Sequence, residues 1–161
     1  MDIRRFDSFS TQCSENLGSA IEEILSSGNS AEEKVRAIGF VTTDDFYGFY
    51  LTWSSDSSCI EEYYDWEHSL EPEFLYQPLV DIVDSCTDID LLNKSDEKWD
   101  FALTLLKVLA DSISGLPEEV FAKNGYKRDD IVFFAAMGSG DYVEELLTQS
   151  LGMFNPSQQA E

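Results

Sequence analysis

The chain has a single histidine, His68, and it lies among carboxylates in the run Asp65-Trp66-Glu67-His68-Ser69. A nucleophile–histidine–acid triad would have to use this imidazole, because the chain has no other. No nucleophile elbow surrounds it, and none of the cysteines shares a motif with it. The sequence therefore predicts a surface histidine beside carboxylates, and it predicts no catalytic residue.

Asp88 and Asp90 are spaced like the first two oxygen ligands of an EF-hand calcium loop. The rest of that pattern fails, because Leu92 stands at the fifth position, Asn93 replaces the glycine at the sixth, and Trp99 replaces the glutamate at the twelfth. Zinc sites need several cysteines or histidines at short spacing, which this chain lacks. We expect no metal site and no cofactor.

The run 137–141, Met-Gly-Ser-Gly-Asp, lies between a predicted strand and a predicted helix, where phosphate-binding loops occur. Neither of the glycine-rich nucleotide-binding patterns is complete here, and Asp141 would place a negative charge against the phosphate. The run therefore predicts a tight strand–helix turn. Asp141 and Glu144, three residues apart, predict a capping signal at the start of the helix.

The densest group of ionisable side chains extends from Asp56 to Asp100, where fourteen acids face only Lys94 and Lys98. Aromatic residues are interleaved with these acids, and Tyr and Trp are the residues that most often anchor protein interfaces. Flanking carboxylates would orient a basic partner. The sequence predicts a partner interface formed by Glu61, Glu62, Tyr63, Tyr64, Asp65, Trp66, Glu67, Glu71 and Glu73. In the alternative interpretation, Tyr63 and Trp66 anchor the segment on the core and the acids are solvated.

The charge of the whole chain points to the same kind of partner. Thirty-two acidic residues against ten basic ones give a formal net charge of −22 over 161 residues. The hydrophobic content of 43% and aromatic content of 13% are those of a folded protein rather than an acidic disordered tail. An acidic body repels nucleic acid and anionic membranes and attracts basic proteins. We therefore expect a basic protein partner, with no nucleic acid and no membrane.

The elements that must position these residues follow from periodicity and from helix and turn signals. Helices are predicted over residues 3–27, 79–85, 96–114, 117–124 and 141–151, and strands over 35–43, 46–53 and 131–137. The last strand is a continuous apolar run, which favours a central strand buried on both faces. This order predicts an α+β fold, a small, mainly antiparallel sheet packed against several helices, in a single domain over residues 1–155 with a polar tail at 156–161.

Cysteine usage and the chain's first residues indicate a compartment. The cysteines are far apart and odd in number, at Cys13, Cys59 and Cys86, which is typical of reduced thiols rather than a disulfide framework. The paired arginines near the first residue have no apolar run behind them, which argues against an export signal. We expect a cytoplasmic protein.

Several segments together resemble one bacterial family of about this length, a domain of unknown function. These segments are the opening amphipathic helix, the hairpin at 37–48, the stretch with Trp and Pro at 66–78, the apolar helix after Trp99, and the strand and helix that end at Asn155-Pro156. Members of such families resemble immunity proteins encoded beside secreted or contact-delivered bacterial toxins. The resemblance implies a toxin-binding protein, and it brings no catalytic residue.

Three functional hypotheses follow, in order of support. The first is a cytoplasmic immunity protein that binds and neutralises a basic toxin domain of a secreted protein, in particular a nuclease, whose phosphate-binding surface must be positive. The alternative is a nucleic-acid mimic that inhibits a DNA-binding or restriction protein. The third and least supported is an enzyme that uses surface carboxylates with a divalent metal.

Overall fold

The computed structural model describes residues 3–27, 34–58 and 60–156 of the chain. The helices of this part are α1 (Asp7–Ser26), α2 (Gln77–Ser85), α3 (Asp96–Ser114), α4 (Glu118–Ala122) and α5 (Val143–Phe154). The strands are β1 (Ala37–Thr42), β2 (Phe49–Ser54), β3 (His68–Leu70) and β4 (Val132–Met137). Short 3₁₀ segments at Ile3–Phe6, Ile60–Asp65, Glu73–Leu75 and Arg128–Asp130 connect them.

The strands form one mixed sheet in the order β3-β2-β1-β4. β1 pairs antiparallel with β2, and β2 pairs antiparallel with β3, whereas β1 and β4 run parallel. The predicted α+β fold, a single domain with a small, mainly antiparallel sheet packed against helices, is confirmed. The parallel pair is possible because a long crossover, which contains α2, α3 and α4, separates β1 from β4.

Helices α1 and α3 cover one face of the sheet and build the main core. The apolar stripe of α1 is buried as its spacing predicts, and its members are Phe9, Cys13, Leu17, Ala20, Ile21, Ile24 and Leu25. Ser95 caps α3, because its side chain accepts a hydrogen bond of 3.1 Å from the backbone N–H of Lys98.

The opposite face of the sheet carries a second, smaller core around Phe134 of β4. Gly39 of β1 is the parallel partner of Phe134, and the ring lies directly over it. A Cβ at Gly39 would be 2.7 Å from Cε2 of Phe134, so only glycine leaves room for the ring. The segment Ile60–Asp65, Trp66, and Leu147 and Leu151 of α5 cover this face. The second core therefore supports the first part of the predicted interface.

Strand β4 lies at an edge of the sheet, so the prediction of a central strand was wrong. Both faces of β4 are buried, as predicted. The outer edge of β4, however, forms hydrogen bonds with side chains of α5 and of the residue that follows it instead of with a fifth strand. Ser150 Oγ accepts from the N–H of Ala135 at 2.8 Å and donates to its carbonyl at 3.1 Å. Asn155 bonds the N–H and the carbonyl of Phe133 in the same way, at 2.9 and 2.6 Å. These hydrogen bonds supply partners to backbone groups of Phe133 and Ala135 that would otherwise be unpaired at the edge of the sheet.

Strand β2 begins at Phe49, three residues later than predicted, because the backbone before it leaves the extended conformation. Phe46 has a φ of 59° and Gly48 a φ of 133°. A left-handed phenylalanine is uncommon, and burial of its ring, 5.7 Å from the ring of Phe101, offsets the strain. The hairpin therefore ends in a sharply bent loop at residues 43–48.

Candidate partner-binding surface

The predicted interface lies within a stretch of the chain that is rich in acids. Between Arg36 and Lys94 the chain contains thirteen acids and no lysine or arginine. This stretch contains β1, β2, β3 and α2, together with the segments that connect them. The fold pairs two of these acids with basic residues from outside the stretch, because Asp44 binds Lys98 and Asp88 binds Arg5.

The acids of the predicted interface are directed to solvent. Glu61, Glu62 and Asp65 lie on the 3₁₀ segment Ile60–Asp65, Glu67 follows it, and Glu71 and Glu73 come after β3; all six are exposed. No described basic side chain forms an ion pair with any of them. Their charge is therefore available to a partner.

The three aromatic residues of the segment point in different directions. Tyr63 is buried and Trp66 is half-buried, and their rings lie 6.1 and 5.7 Å from the ring of Phe134. Both residues therefore anchor the segment on the second core, as the alternative interpretation of the sequence has it. Tyr64 is 69% exposed and is the aromatic ring of this segment that faces solvent. Tyr63, by contrast, is too deeply placed to offer area to a partner.

A cavity of about 400 Å³ lies beside this segment at one end of β2. Its walls include Trp53, Trp66 and His68, with the carboxylates of Asp65 and Glu67 at its side. The His68 ring stacks on the Trp53 ring, with centroids 5.6 Å apart and an angle of 9° between planes. The histidine is exposed, as predicted, and its contact is an aromatic stack.

The two described cysteines lie in different surroundings. Cys13 is buried, and burial raises the pKa of its thiol to about 12, so the thiolate is scarce at neutral pH. Cys86 is half-buried, and its sulfur accepts a hydrogen bond of 3.0 Å from Arg5 Nη1. Cys59 lies outside the described residues.

The two aspartates that resemble the start of a calcium loop bind other groups of the protein. Asp88 pairs with Arg5 at 2.9 Å, and this hydrogen bond lowers the pKa of Asp88. Asp90 accepts hydrogen bonds from the Asn93 side chain and from the backbone N–H groups of Leu92 and Asn93, which lower its pKa. Across residues 3–27, 34–58 and 60–156, no three His, Cys, Asp or Glu side chains converge as a metal site would require.

The turn at 137–141 lies between β4 and α5 as predicted, but the predicted cap was wrong. Helix α5 begins after Tyr142 without a side-chain cap, because the Asp141 carboxylate binds Lys98 instead. Lys98 is fully buried, and its ammonium donates to Asp44 at 2.9 Å and to Asp141 at 3.1 Å. Asp44 also accepts from the Asp141 backbone N–H at 3.0 Å. One lysine thus joins the hairpin loop, the start of α3 and the start of α5.

Sequence reasoning missed Lys98, although one signal was present. Lys98 precedes Ala102 by four residues and Leu105 by seven, which places it on the buried stripe of α3. A lysine on such a stripe must find carboxylate partners. Its partners are 54 and 43 residues away in the chain, so no local pattern identifies them.

Comparison of the chain with protein families, with curated proteins and with solved structures found no match. The resemblance to a bacterial family of immunity-like proteins therefore stays a prediction. Within the described part of the chain, no helix is both long and apolar enough to span a membrane.

Replacing Trp66, which anchors the segment, and Tyr64, which faces solvent, one at a time by alanine should separate anchoring from binding. Trp66→Ala should lower the free energy of unfolding by about 2 kcal/mol, somewhat below the cost at a fully buried site, because part of the ring is exposed. Tyr64→Ala should leave the melting temperature unchanged and speed dissociation of the partner by about 30-fold, which corresponds to about 2 kcal/mol. Thermal melts and dissociation rates of both variants test this assignment. A Tyr64→Ala variant that melts normally and dissociates at the original rate would contradict it.

Proposed function

We propose that this protein is a cytoplasmic immunity protein that binds and neutralises a basic toxin domain of bacterial origin, in particular a nuclease. The observation that carries the proposal is the stretch of thirteen acids without a lysine or arginine between Arg36 and Lys94. Four of these acids, Glu61, Glu62, Asp65 and Glu67, are exposed on or next to the segment that the second core holds in place. Such a surface has the sign and the aromatic content that a basic protein partner requires.

The charge of a nuclease explains why an acidic inhibitor suits it. A nuclease carries positive charge where it meets the phosphate backbone. A protein of opposite charge can occupy that surface and exclude the nucleic acid. Electrostatic steering also raises association rates by about ten-fold to a thousand-fold, which matters when a few active toxin molecules are lethal.

The arrangement of the acids favours a local interface over a nucleic-acid mimic. A mimic needs carboxylates in regular rows that repeat the spacing of phosphates. The acids at Glu61, Glu62, Asp65 and Glu67 come from a 3₁₀ segment with a kink at Glu62 and from the residues that follow it. Their spacing does not repeat, which supports a surface fitted to one protein.

The experiment that tests the proposal begins with the gene beside the one for this chain. We expect that gene to encode a large secreted protein with a basic C-terminal domain. Expression of that domain alone should stop bacterial growth, and co-expression of this protein should restore it. A neighbouring domain that is toxic and basic, but that kills equally well in the presence of this protein, would contradict the proposal.

The association rate with the partner should fall steeply with ionic strength. Between about 0.1 and 0.5 M salt the Debye length falls from about 10 Å to about 4 Å, which removes most steering between exposed charges. Dissociation should change less, because packed aromatic contacts depend little on screening. Stopped-flow or surface-based kinetics across this salt range provides the measurement, and an association rate that is indifferent to salt would exclude steering by this surface.

A further inference from the structure

A second concave surface lies at the hairpin end of the sheet, away from the cavity beside Trp53. It is a groove of about 350 Å³, and three tyrosines, Tyr47, Tyr50 and Tyr76, line it together with the carboxylate of Glu71. Tyr47 is 39% and Tyr76 47% exposed, so both rings can contact another molecule. The groove therefore presents aromatic surface to solvent beside a negative charge.

The backbone of the hairpin loop fixes these rings in place. Gly48 has a φ of 133°, and a Cβ there would lie 2.6 Å from the Cβ of Tyr76, so glycine alone allows Tyr76 to approach. Thr42 donates to the Gly48 carbonyl at 2.7 Å and holds the loop against β1. The Tyr47 hydroxyl donates to the carboxylate of Asp84 on α2. The groove is built before any partner arrives, which reduces the entropy lost on binding.

The electrostatic environment of the groove is negative. Burial and then the charge of Glu71 raise the pKa of Tyr50, and the hydrogen bond to Asp84 raises the pKa of Tyr47. Both phenols therefore stay neutral. No lysine or arginine occurs within residues 37–93, which supply every wall of the groove, so no basic residue of its own walls neutralises Glu71. A cation from another molecule would complete the site.

We propose that this groove binds the guanidinium group of an arginine side chain from the basic partner. A guanidinium is planar, stacks on tyrosine rings, and can donate two parallel hydrogen bonds to one carboxylate such as Glu71. An apolar side chain would make no use of the Glu71 charge, and a lysine ammonium lacks the flat surface that stacks on tyrosine rings. The proposal rests on the proposed function for the source of the arginine, and it can be tested without the toxin.

The direct test is an NMR titration of the intact protein with N-acetyl-arginine amide. The matched control is N-acetyl-citrulline amide, which has nearly the same shape and no charge. We expect saturable shifts in the backbone signals of residues 41–50 and 71–76 with the arginine compound, with a dissociation constant in the millimolar range. The citrulline compound should bind at least tenfold more weakly. Equal shifts with both compounds, or no saturable shift with the arginine compound, would overturn the proposal.

Two variants locate the contact within the groove. Glu71→Gln removes the charge at an exposed position, and Tyr76→Ala removes a ring but keeps the Cβ that contacts Gly48. Each should weaken binding of the arginine compound at least threefold while the melting temperature stays unchanged. Tyr64→Ala removes an exposed tyrosine outside the groove. It is the control and should bind the arginine compound as tightly as the original protein does. A loss of binding in the Tyr64→Ala variant equal to that of Tyr76→Ala would overturn the assignment to this groove.

The same variants keep the two proposals apart. If the arginine compound binds the groove but the neighbouring basic domain does not bind the protein, the guanidinium site stands and the immunity function fails. If the basic domain binds the Glu71→Gln and Tyr76→Ala variants as tightly as the original protein, the immunity function stands and the arginine of the partner lies elsewhere.

Discussion

The Lys98→Met variant is expected to lose about 3 kcal/mol of the free energy of unfolding. Removal of the ammonium leaves the carboxylates of Asp44 and Asp141 close together without the cation that both bind. Removing one partner of a buried ion pair costs about 3–5 kcal/mol, and the lower end applies because both carboxylates are partly exposed. Chemical denaturation at neutral pH measures the change.

A second lysine on the same helix is the matched control. Lys107 pairs with Asp111 one turn later at 3.6 Å, and both side chains are largely exposed. Lys107→Met should change stability by less than about 0.5 kcal/mol, as for most exposed pairs within a helix. Equal losses in the two variants would mean that the loss at Lys98 reflects helix α3 as a whole rather than its two carboxylate partners.

The difference between Lys98→Met and the original protein should depend on pH. Burial raises the pKa of Asp44, but the Asp141 N–H and the Lys98 ammonium outweigh it and bring the pKa below 3.8. The Asp44 carboxylate therefore stabilises the fold above pH 3.8, and this stabilisation is lost as the pH falls through the lowered pKa. Burial lowers the pKa of Lys98, but its two carboxylates outweigh this and raise it above 10.5. The Lys98 ammonium therefore stabilises the fold below pH 10.5, and this stabilisation is lost as the pH rises through the raised pKa. The difference in unfolding free energy between the original protein and Lys98→Met should then be largest between about pH 4 and pH 10.

Reversal of four charges on the predicted interface should slow association with the basic partner by ten-fold or more. The variant replaces by lysine the exposed acids Glu61, Glu62, Asp65 and Glu67. Steering depends on the sign of the local potential, so the association rate should fall far more than the dissociation rate rises. The melting temperature should stay close to the original value, because exposed carboxylates without ion pairs contribute little to folding.

A control with the same change in net charge distinguishes local from global effects. It replaces by lysine four exposed acids on the helices of the other face, namely Glu15, Glu23, Asp100 and Asp111. This variant should slow association much less than the interface variant does. If both slow it equally, the whole-molecule charge carries the steering and the partner surface is not at residues 61–67.

Much of the fold could be predicted because its signals are local. The spacing of apolar residues at steps of three and four predicts the buried stripe of α1. A serine directly before two acids predicts the cap at Ser95. The position of β4 could not be predicted, because an apolar run shows that both faces are covered but does not show which strands pair. Its edge partners, Ser150 and Asn155, are polar residues at the end of an apolar helix, where they resemble surface residues.

The candidate site was predictable in its charge but not in its geometry. Composition identifies the acidic segment, whereas the 3₁₀ geometry that turns Tyr63 and Trp66 inward and Tyr64 outward has no periodic signature. The tyrosine groove was not predicted, because residues 41–43 and 47–50 line it together with Glu71 and Tyr76, which are distant in the chain. The loop with positive φ angles at Phe46 and Gly48 helps to bring these residues together. Such loops depend on contacts that are distant in the chain.

The coverage of β4 by Ser150 and Asn155 bears on how this protein can acquire new specificities. With one sheet edge occupied and the other, β3, only three residues long, a partner cannot readily add a strand to this sheet. Recognition must then use side chains, whereas strand addition would rely on main-chain groups that every sequence shares. Single substitutions alter side chains without moving the backbone that presents them. The binding surface can therefore diverge one residue at a time on an unchanged scaffold.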